Sequence, residues 1–344
     1  MSDTIKVIVY DAKSYDIESF ESAEHEGIEF KFVDAKLNEF TVSLCENYDA
    51  VCAFVNDTLN EKVILEMDRL GVKMIAMRCA GYNNVDLSTA FGRIHVMRVP
   101  AYSPYAVAEH AIAMLLTSIR RIHKAYLRTR DFNFSIVGLE GFDLHGKTVG
   151  VVGTGRIGRC FIDICKGFGM NVLTYDKYPV EIPGTTQTTL NDLFAKSDII
   201  SLHCPLMEET YHIVNKDSIA RMKKGVVIIN TSRGGLVDSE ELYKGLRARK
   251  IGAACLDVYD EEGDIFFEDR SGHILNDETL SLLISMPNVL VTSHQAFLTR
   301  EALDNIADTT IKNIRDFIHE GKADNEVCYR CSKFGTCNTT GKCF

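Results

Sequence analysis

Short apolar runs rich in β-branched residues alternate with longer amphipathic stretches in the first part of the chain. These runs predict strands at residues 5–10, 28–33, 50–55 and 73–77. Strands that alternate with helical stretches favour a parallel sheet covered by helices on both faces. The first part of the chain is therefore predicted to form an α/β unit.

A second alternating series begins at residue 146 and predicts six strands, the number in a dinucleotide-binding domain. Between the two series, residues 107–128 have apolar side chains at helical spacing and basic side chains toward the end, which predicts one long helix. Residues 301–320 predict a final helix. The six predicted strands are residues 148–152, 171–175, 198–202, 226–229, 252–256 and 289–292.

The chain of 344 residues has the length of two domains, and its 46% hydrophobic content is enough to build their cores. With 48 acidic and 38 basic side chains its formal net charge is −10, which argues against a nucleic-acid partner. No apolar run reaches the ~18 residues of a transmembrane helix, and the start of the chain lacks a basic stretch followed by an apolar one. Most cysteines before the end of the chain lie in apolar segments, where reduced thiols act as small hydrophobes. We therefore expect a cytoplasmic protein that binds neither membranes nor nucleic acid.

Three glycines, Gly153, Gly155 and Gly158, directly follow the predicted strand 148–152 in the spacing G-x-G-x-x-G, and an amphipathic helix follows them. In such a turn the first glycine permits the tight bend, the second lets the backbone approach a pyrophosphate, and the third lets the helix pack close to the strand. The start of the helix adds unpaired N–H groups that attract phosphates. The pattern predicts a dinucleotide site, and the alternative is a glycine turn that joins strand to helix without a ligand.

Asp176 follows the next predicted strand, where a carboxylate accepts hydrogen bonds from the adenine-ribose hydroxyls and repels a 2′-phosphate. At ~5 Å and an effective dielectric constant near 20, this repulsion is roughly 3 kcal/mol, or about a hundredfold preference for NAD over NADP. The neighbouring Lys177 could offset part of that field. The predicted cofactor is NAD.

Polar side chains follow three later predicted strands: Arg233, Glu262 and His294. A guanidinium binds a carboxylate through two parallel hydrogen bonds, and a carboxylate beside a histidine stabilises the protonated imidazole. Such an acid can donate a proton to a carbonyl oxygen while hydride reaches the carbon. Taken singly, the three residues are better interpreted without a function: Arg233 as a loop cation, Glu262 as a member of a solvated acidic cluster and His294 as a turn residue. Because all three follow strands of one nucleotide-binding domain, together they predict the catalytic site of an oxidoreductase.

Several separated motifs in the same order make the sequence resemble the D-2-hydroxyacid dehydrogenase family, and most closely its fermentative NAD-dependent D-lactate dehydrogenases. The resemblance runs from about residue 5 to residue 327. Besides residues 153–158, the motifs are residues 78–86 (RCAGYNNVD), 99–104 (VPAYSP), 202–205 (LHCP), 231–235 (TSRGG) and 293–297 (SHQAF).

The resemblance implies an α/β fold of two doubly wound parallel-sheet domains. A Rossmann-type NAD-binding domain, residues 101–299, would be inserted into a flavodoxin-like substrate-binding (catalytic) domain made of residues 1–100 and 300–327, with a hinge between them. Residues 328–344 would form a cysteine-rich tail. The family also implies a homodimer or homotetramer.

By the same resemblance, Arg233 would bind the substrate carboxylate and polarise the carbonyl, while His294, held and charged by Glu262, would act as acid in reduction and as base in oxidation. Four residues of the first domain would join Arg233 and His294 in binding the substrate: Arg78, Ala80, Gly81 and Tyr102. The residues that would line the NAD site are Gly153, Gly155, Arg156, Ile157, Gly158, Asp176, Cys204, Pro205, Thr210, Thr231, Ser232 and Asp257.

The implied activity is the reduction of pyruvate to D-lactate, a small 2-oxo acid to the matching 2-hydroxy acid. Leu298 stands where some D-lactate dehydrogenases have tyrosine, so a bulkier 2-oxo acid such as phenylpyruvate is an alternative substrate. A further alternative is an NAD-sensing binding protein of the same fold, like the family's transcriptional corepressors. The intact set of Arg233, Glu262 and His294 favours an enzyme.

Four cysteines crowd the end of the chain in the spacing C-x₂-C-x₅-C-x₅-C: Cys328, Cys331, Cys337 and Cys343. Four thiolates can hold zinc tetrahedrally, although the five-residue spacings match no common zinc finger. Two disulfides, in any of three pairings, and a reduced tail outside the fold are the alternatives. The sequence leaves all three open, and a resident metal is not part of the predicted enzyme.

Overall fold

A computed structural model describes residues 4–260, 262–321, 324–327 and 329. These divide into two compact units: the described residues up to Ser103 together with those from Leu298 onward, and Pro104–Phe297. The predicted boundaries near residues 100 and 300 lie close to this division. The four cysteines of the predicted tail, Cys328, Cys331, Cys337 and Cys343, lie outside the described residues.

The elements are numbered along the chain. The strands are β1 (Ile5–Val9), β2 (Ile28–Phe32), β3 (Ala50–Ala53), β4 (Met74–Met77), β5 (His95–Arg98), β6 (Thr148–Val152), β7 (Asn171–Tyr175), β8 (Thr186–Gln187), β9 (Ile199–Leu202), β10 (Val226–Asn230), β11 (Ile251–Leu256) and β12 (Val289–Val291). The α-helices are α1 (Ser14–Ser22), α2 (Glu61–Arg69), α3 (Leu87–Ala90), α4 (Pro104–Ile119), α5 (Ile122–Arg130), α6 (Arg156–Gly167), α7 (Leu190–Lys196), α8 (Lys216–Arg221), α9 (Ser239–Arg247), α10 (Glu278–Ser285) and α11 (Arg300–Glu320).

The first unit contains a parallel sheet in the order β2-β1-β3-β4-β5, which is the strand order of flavodoxin-like folds. The four strands that the sequence predicts are confirmed. The fifth, β5, is absent from the prediction because only Val96 and Met97 are fully buried, too short an apolar run to signal a strand. The backbone near the described end of the chain lies beside β5, where the N–H of Val327 donates to the carbonyl of Val96 at 2.7 Å.

Helix α11 covers one face of the first sheet and confirms the predicted final helix. Its residues Ala307, Ile311 and Ile314 are buried in the same apolar cluster as the strands β1, β3 and β4. Thr299 accepts the N–H of Ala302 at the start of the helix, and Gly321 ends the helix in the left-handed conformation with φ 68°. The chain therefore returns to the first unit after completing the second.

The second unit contains a parallel sheet in the order β12-β11-β10-β9-β6-β7-β8. Counted from β6, this is the 3-2-1-4-5-6 order of Rossmann folds with one further strand at the β12 edge. The six predicted strands are confirmed. The two-residue strand β8 is an addition, since Thr186 and Gln187 are exposed and give no apolar signal.

The single long helix predicted at residues 107–128 is wrong, because the chain forms two helices there, α4 and α5. Arg121 lies between them in the left-handed conformation with φ 54°. Helix α4 buries most of one face, whereas none of the residues of α5 is buried, so packing does not hold the two segments in line. Three basic residues one turn or less apart, Arg120, Arg121 and Lys124, also repel one another in a continuous helix.

Within the described residues, none of the helices combines the length and the hydrophobicity that crossing a bilayer requires. The same part of the chain contains no group of three or more His, Cys, Asp and Glu residues that could hold a metal ion.

Candidate active site

The predicted site residues of the second unit all follow the carboxyl ends of strands in one parallel sheet. The glycine turn follows β6, Asp176 follows β7, and Cys204 follows β9. Thr231, Ser232 and Arg233 follow β10, Asp257 and Glu262 follow β11, and His294 follows β12. Because these strands are parallel, the residues lie along one edge of the sheet, where open α/β folds bind their ligands.

The three glycines of the turn meet different surroundings. A Cβ atom on Gly153 would lie 2.6 Å from the backbone of Cys204, and one on Gly158 would lie 2.1 Å from the carbonyl oxygen of Gly153. Gly153 also has φ 98°, which side chains rarely adopt. A Cβ atom on Gly155 would meet no protein atom within 4 Å. Gly153 and Gly158 thus permit tight packing, whereas the space at Gly155 is open to a ligand.

Helix α6 begins directly after this turn. Gly155 is its N-cap and has no side chain to accept the first N–H groups of the helix, and Arg156 and Ile157 are the first helical residues. Gly155 and Arg156 are exposed, Ile157 is half-buried and Gly158 is buried. The helix start therefore presents N–H donors at the open side of the turn, which fits a pyrophosphate.

Asp176 is held by the glycine turn itself. Its Oδ2 accepts from the N–H of Thr154 at 2.6 Å and from Thr154 Oγ1 at 3.0 Å, and its Oδ1 accepts from the N–H of Tyr178 at 2.9 Å. Partial burial alone would raise the pKa of Asp176, but these hydrogen bonds and the nearby Arg159 hold it below its ordinary value. The carboxylate is therefore ionised and fixed beside the turn.

The ammonium group of Lys177 contacts a carboxylate other than that of Asp176. Its Nζ donates to both carboxylate oxygens of Glu209, at 2.7 and 2.9 Å. The pair neutralises the cation that the sequence places next to Asp176. The negative field of Asp176 is therefore left largely intact.

The loops after β9 and β10 are tied to each other. Ser232 Oγ donates to the carbonyl of Cys204 at 2.8 Å, and Thr210 Oγ1 donates to the carbonyl of Pro205 at 2.7 Å. Burial raises the pKa of the Cys204 thiol to about 11, so the thiol stays protonated. Thr231 Oγ1 is buried without a hydrogen-bond partner among the described residues, which leaves it available to a ligand at this edge. Together with the open space at Gly155, this residue set fits a dinucleotide.

Glu262 and His294 form a direct pair. His294 Nδ1 lies 2.6 Å from Glu262 Oε1, and the two side chains are 18% and 21% exposed. Glu262 Oε2 accepts from the N–H of Tyr259 at 2.8 Å, which orients the carboxylate. Because Nδ1 faces Glu262, Nε2 is the ring nitrogen left to exchange a proton with a ligand.

Asp257, predicted at the cofactor site, binds the loop that carries His294. Its carboxylate is fully buried and accepts from Thr292 Oγ1 at 2.5 Å and from the N–H groups of Gln295 and Ala296 at 3.0 and 2.9 Å. His294 adopts φ 52°, a left-handed conformation that is uncommon outside glycine. These bonds fix the turn that carries the imidazole.

Arg233 lies beside the loop that carries Glu262. A Cβ atom on the next residue, Gly234, would lie 2.1 Å from the backbone carbon of Tyr259 and 2.2 Å from the N of Asp260, so only glycine permits this approach. Arg233 Nη1 donates to the carbonyl of Ser232 at 2.6 Å. Among the described residues no carboxylate lies within ion-pair distance of Arg233, so its guanidinium group remains available to an anionic ligand.

In the first unit, the side chain of Arg78 is buried and contacts other residues of that unit. The residue is 3% exposed, its Nη2 donates to the carbonyl of Asp11 at 2.9 Å, and its Nε lies 3.4 Å from Asp16 Oδ1. Its guanidinium also lies 4.8 Å from the centre of the Phe54 ring. Arg78 Nη1 is buried without a hydrogen-bond partner among the described residues, and contact of this side chain with substrate stays a prediction.

The other predicted substrate residues of the first unit lie on loops that follow β4 and β5. The carbonyl of Ala80 accepts from Arg98 Nη1 at 3.0 Å, and the carbonyl of Gly81 faces Cys79 Sγ at 3.2 Å. The carbonyl of Tyr102 accepts from Asn305 Nδ2 at 3.1 Å. These contacts fix the loop backbones from within the unit.

Two site residues escape the sequence analysis: Thr154, which holds Asp176, and Thr292, which donates to Asp257. Thr154 lies inside the predicted glycine turn, and Thr292 is the last residue of the predicted strand 289–292. Their hydroxyl side chains, next to predicted site residues, were the signal that could have identified them.

A family model for the NAD-binding domain of the D-isomer specific 2-hydroxyacid dehydrogenases matches residues 112–296. A 2-hydroxyacid dehydrogenase homolog of Haemophilus influenzae is 51% identical over 317 residues, which cover 90% of this chain and 95% of that protein. The D-lactate dehydrogenase of Escherichia coli K12 is 48% identical over 330 residues, which cover 94% of this chain and 100% of that protein. Among solved structures, the pyruvate reductase of Chlamydomonas reinhardtii is similar with a TM-score of 0.88 at 43% identity, covering 93% of this chain and 98% of the other.

Proposed function

Because the chain belongs to the D-isomer specific 2-hydroxyacid dehydrogenase family, we propose that it reduces pyruvate to D-lactate with NADH. The observation that carries the proposal is the contact between Glu262 and His294 at the sheet edge of the glycine turn, where the loop with Glu262 packs against the Arg233 loop. The D-lactate dehydrogenase of Escherichia coli and the pyruvate reductase of Chlamydomonas reinhardtii support pyruvate as the substrate.

His294 is the proton donor of the proposed reaction. NADH, when bound, supplies a hydride to the carbonyl carbon. The protonated imidazole donates its Nε2 proton to the carbonyl oxygen, which becomes the hydroxyl of lactate, and Glu262 at Nδ1 stabilises the charged ring beforehand. In the reverse direction the neutral ring accepts that proton.

Arg233 is the anchor for the substrate carboxylate. The bond from Nη1 to the Ser232 carbonyl fixes the plane of the guanidinium, and the remaining N–H groups can donate two parallel hydrogen bonds to a carboxylate. Such charge-assisted bonds are worth ~1.5 to 3 kcal/mol each. Arg233 thereby sets the orientation of the carbonyl toward His294.

The NAD site is assigned to the residues along the same edge. Gly153, Gly155, Arg156, Ile157 and Gly158 would receive the pyrophosphate, and Asp176 would receive the adenine ribose. The loops with Cys204, Pro205, Thr210, Thr231 and Ser232 would complete the site. In the first unit, we assign substrate contact to Arg78, Ala80, Gly81 and Tyr102.

The test is a panel of 2-oxo acids assayed with NADH and with NADPH on the full chain. The proposal predicts turnover with pyruvate and NADH, and kcat/KM for NADPH lower by about a hundredfold. A higher kcat/KM for phenylpyruvate than for pyruvate would identify a dehydrogenase for bulkier acids. Binding of NADH without turnover of any 2-oxo acid would identify a nucleotide-sensing protein.

We also propose that the enzyme is a homodimer or homotetramer whose subunits meet through helix α5 and the segment after it. Several apolar side chains there are largely exposed, Phe132 by 82% and Ile136 by 81%. Large exposed apolar patches are rare on monomers. Light scattering should give at least twice the chain's 38.5 kDa, and Phe134→Asp should lower it, whereas Phe40→Asp in the first unit should not. A monomeric parent protein would contradict this assignment.

A cytoplasmic location is proposed from cysteine chemistry. The seven cysteines of the described residues are free thiols, and six of them are buried. Free thiols are typical of reducing compartments. Cell fractionation with an antibody against the chain tests the location, and recovery outside the cytoplasm would contradict it.

A further inference from the structure

His110, on helix α4, contacts the segment of chain that leads into His294. Its Nε2 lies 3.2 Å from Thr292 Oγ1 and 3.4 Å from Asp257 Oδ1. The His110 side chain is 19% exposed, and that of Asp257 is completely buried. His110 is therefore a polar group through which α4 supports the His294 loop.

The hydroxyl of Thr292 determines which His110 nitrogen carries a proton. An ionised carboxylate only accepts hydrogen bonds, so Thr292 Oγ1 is the donor in its 2.5 Å bond to Asp257 Oδ1. The same hydroxyl oxygen is then the acceptor toward His110, which requires a proton on Nε2. His110 thus presents an N–H to both Thr292 and Asp257.

Asp257 is the link between His110 and the loop. Its backbone carbonyl accepts the N–H of His294 at 2.7 Å, and its carboxylate accepts the N–H groups of Gln295 and Ala296. A protonated carboxyl would place a donor among these donors and break the arrangement. The loop in this conformation therefore requires an ionised Asp257.

Burial alone would raise the pKa of Asp257, but hydrogen bonds from His110, Thr292 and the amide of Ala296 hold it below its ordinary value. Coulombic attraction to His110 acts in the same direction. The carboxylate therefore remains ionised although it is out of contact with solvent.

We propose that His110 is a positioning residue of the reaction: its Nε2–H holds the Asp257 carboxylate in place, and Asp257 in turn holds the left-handed turn that carries the His294 imidazole. This inference rests on the proposed role of His294 as proton donor. His110 acts at a distance from the substrate, through backbone geometry, so its loss lowers the rate of the chemical step more than the binding of either ligand.

Two amide variants that differ by one methylene test the inference. In His110→Gln the side-chain NH₂ reaches the position of Nε2, whereas in His110→Asn it reaches only the position of Nδ1, too short for Asp257. We expect kcat with pyruvate within about threefold of the parent for His110→Gln and at least about tenfold lower for His110→Asn, with KM for pyruvate and Kd for NADH changed less than about threefold in both. His145→Asn, an exposed histidine of the same unit, is the control and should match the parent.

Hydrogen exchange of residues 293–297 gives a readout that does not depend on activity. The amides of this segment should exchange faster in His110→Asn than in His110→Gln and the parent. Equal kcat and equal exchange in the two variants would overturn the inference, as would equal losses in both. If the asparagine variant does not fold, the glutamine variant decides, since a tenfold loss of kcat there contradicts a role for the N–H donor. Lack of turnover by the parent with every 2-oxo acid would instead count against the proposed function, and the exchange comparison would still test His110.

Discussion

Lys177 and Glu209 are joined by two hydrogen bonds, from Nζ to Oε1 at 2.7 Å and to Oε2 at 2.9 Å, so the cation beside Asp176 is already paired. The sequence alone does not show which of two opposing effects on a bound 2′-phosphate prevails, repulsion by Asp176 or attraction by Lys177. Asp176 repels a 2′-phosphate, and Lys177, if free, would attract one. We therefore predict that discrimination against NADP depends on Glu209 as well as on Asp176.

Glu209→Gln should raise kcat/KM for NADPH by about threefold to tenfold, because Lys177 loses its neutralising partner and can contact a 2′-phosphate. The value for NADH should change by less than about twofold. Glu240→Gln, which removes a charge from another exposed pair with Lys244, is the matched control. Unchanged use of NADPH by the Glu209 variant would mean that Lys177 does not reach the ribose.

Glu262→Gln should lower kcat for pyruvate reduction by about tenfold or more. The variant keeps a hydrogen-bond partner for His294 but removes the negative charge that stabilises the protonated ring during proton transfer. KM for pyruvate and Kd for NADH should change by less than about threefold, because neither ligand loses a contact. Glu278→Gln on α10 is the control and should match the parent. A kcat equal to that of the parent would show that Glu262 takes no part in proton transfer.

Arg233→Lys should lower kcat/KM for pyruvate by about a hundredfold or more, because an ammonium group cannot replace the two parallel donors of the guanidinium. NADH binding, measured by fluorescence titration, should remain within about threefold of the parent. Arg221→Lys on the exposed face of α8 supplies the control. Near-parental activity of the Arg233 variant would show that this residue does not bind the substrate.

Gly155→Ala should weaken NADH binding by about tenfold or more without lowering the melting temperature. A methyl group at this position meets no protein atom within 4 Å, so only a bound ligand competes for the space. Gly167→Ala at the other end of α6 also meets nothing within 4 Å and should leave NADH binding unchanged. Equal affinities in the two variants would place the pyrophosphate elsewhere.

The periodicity of apolar residues predicts both sheets, since strands buried on both faces read as short apolar runs. Strand β10, whose five residues are all buried, is the clearest example. The glycine spacing and the polar residues after each strand predict which sheet edge carries the site. Elements without such a run, β5 and β8, are not predicted, and the break at Arg121 has neither glycine nor proline to signal it.

The partners of the site residues are the part that the sequence does not predict. Glu209 lies 32 residues beyond Lys177, and Thr292 lies 35 residues beyond Asp257, so only the folded sheet brings each pair together. The sequence likewise gives no sign that Arg78 is buried against Asp16. Residue type and motif indicate the chemistry, whereas the contacts that set charge and orientation depend on tertiary structure.

The most direct test follows the atoms transferred to the product. Pyruvate and NADH carrying deuterium at nicotinamide C4 are incubated with the full chain, and the lactate is analysed by mass spectrometry and chiral chromatography. Direct hydride transfer from NADH to the carbonyl carbon predicts D-lactate with deuterium at C2. L-Lactate, or lactate without deuterium at C2 from NADH deuterated on either face, would contradict it.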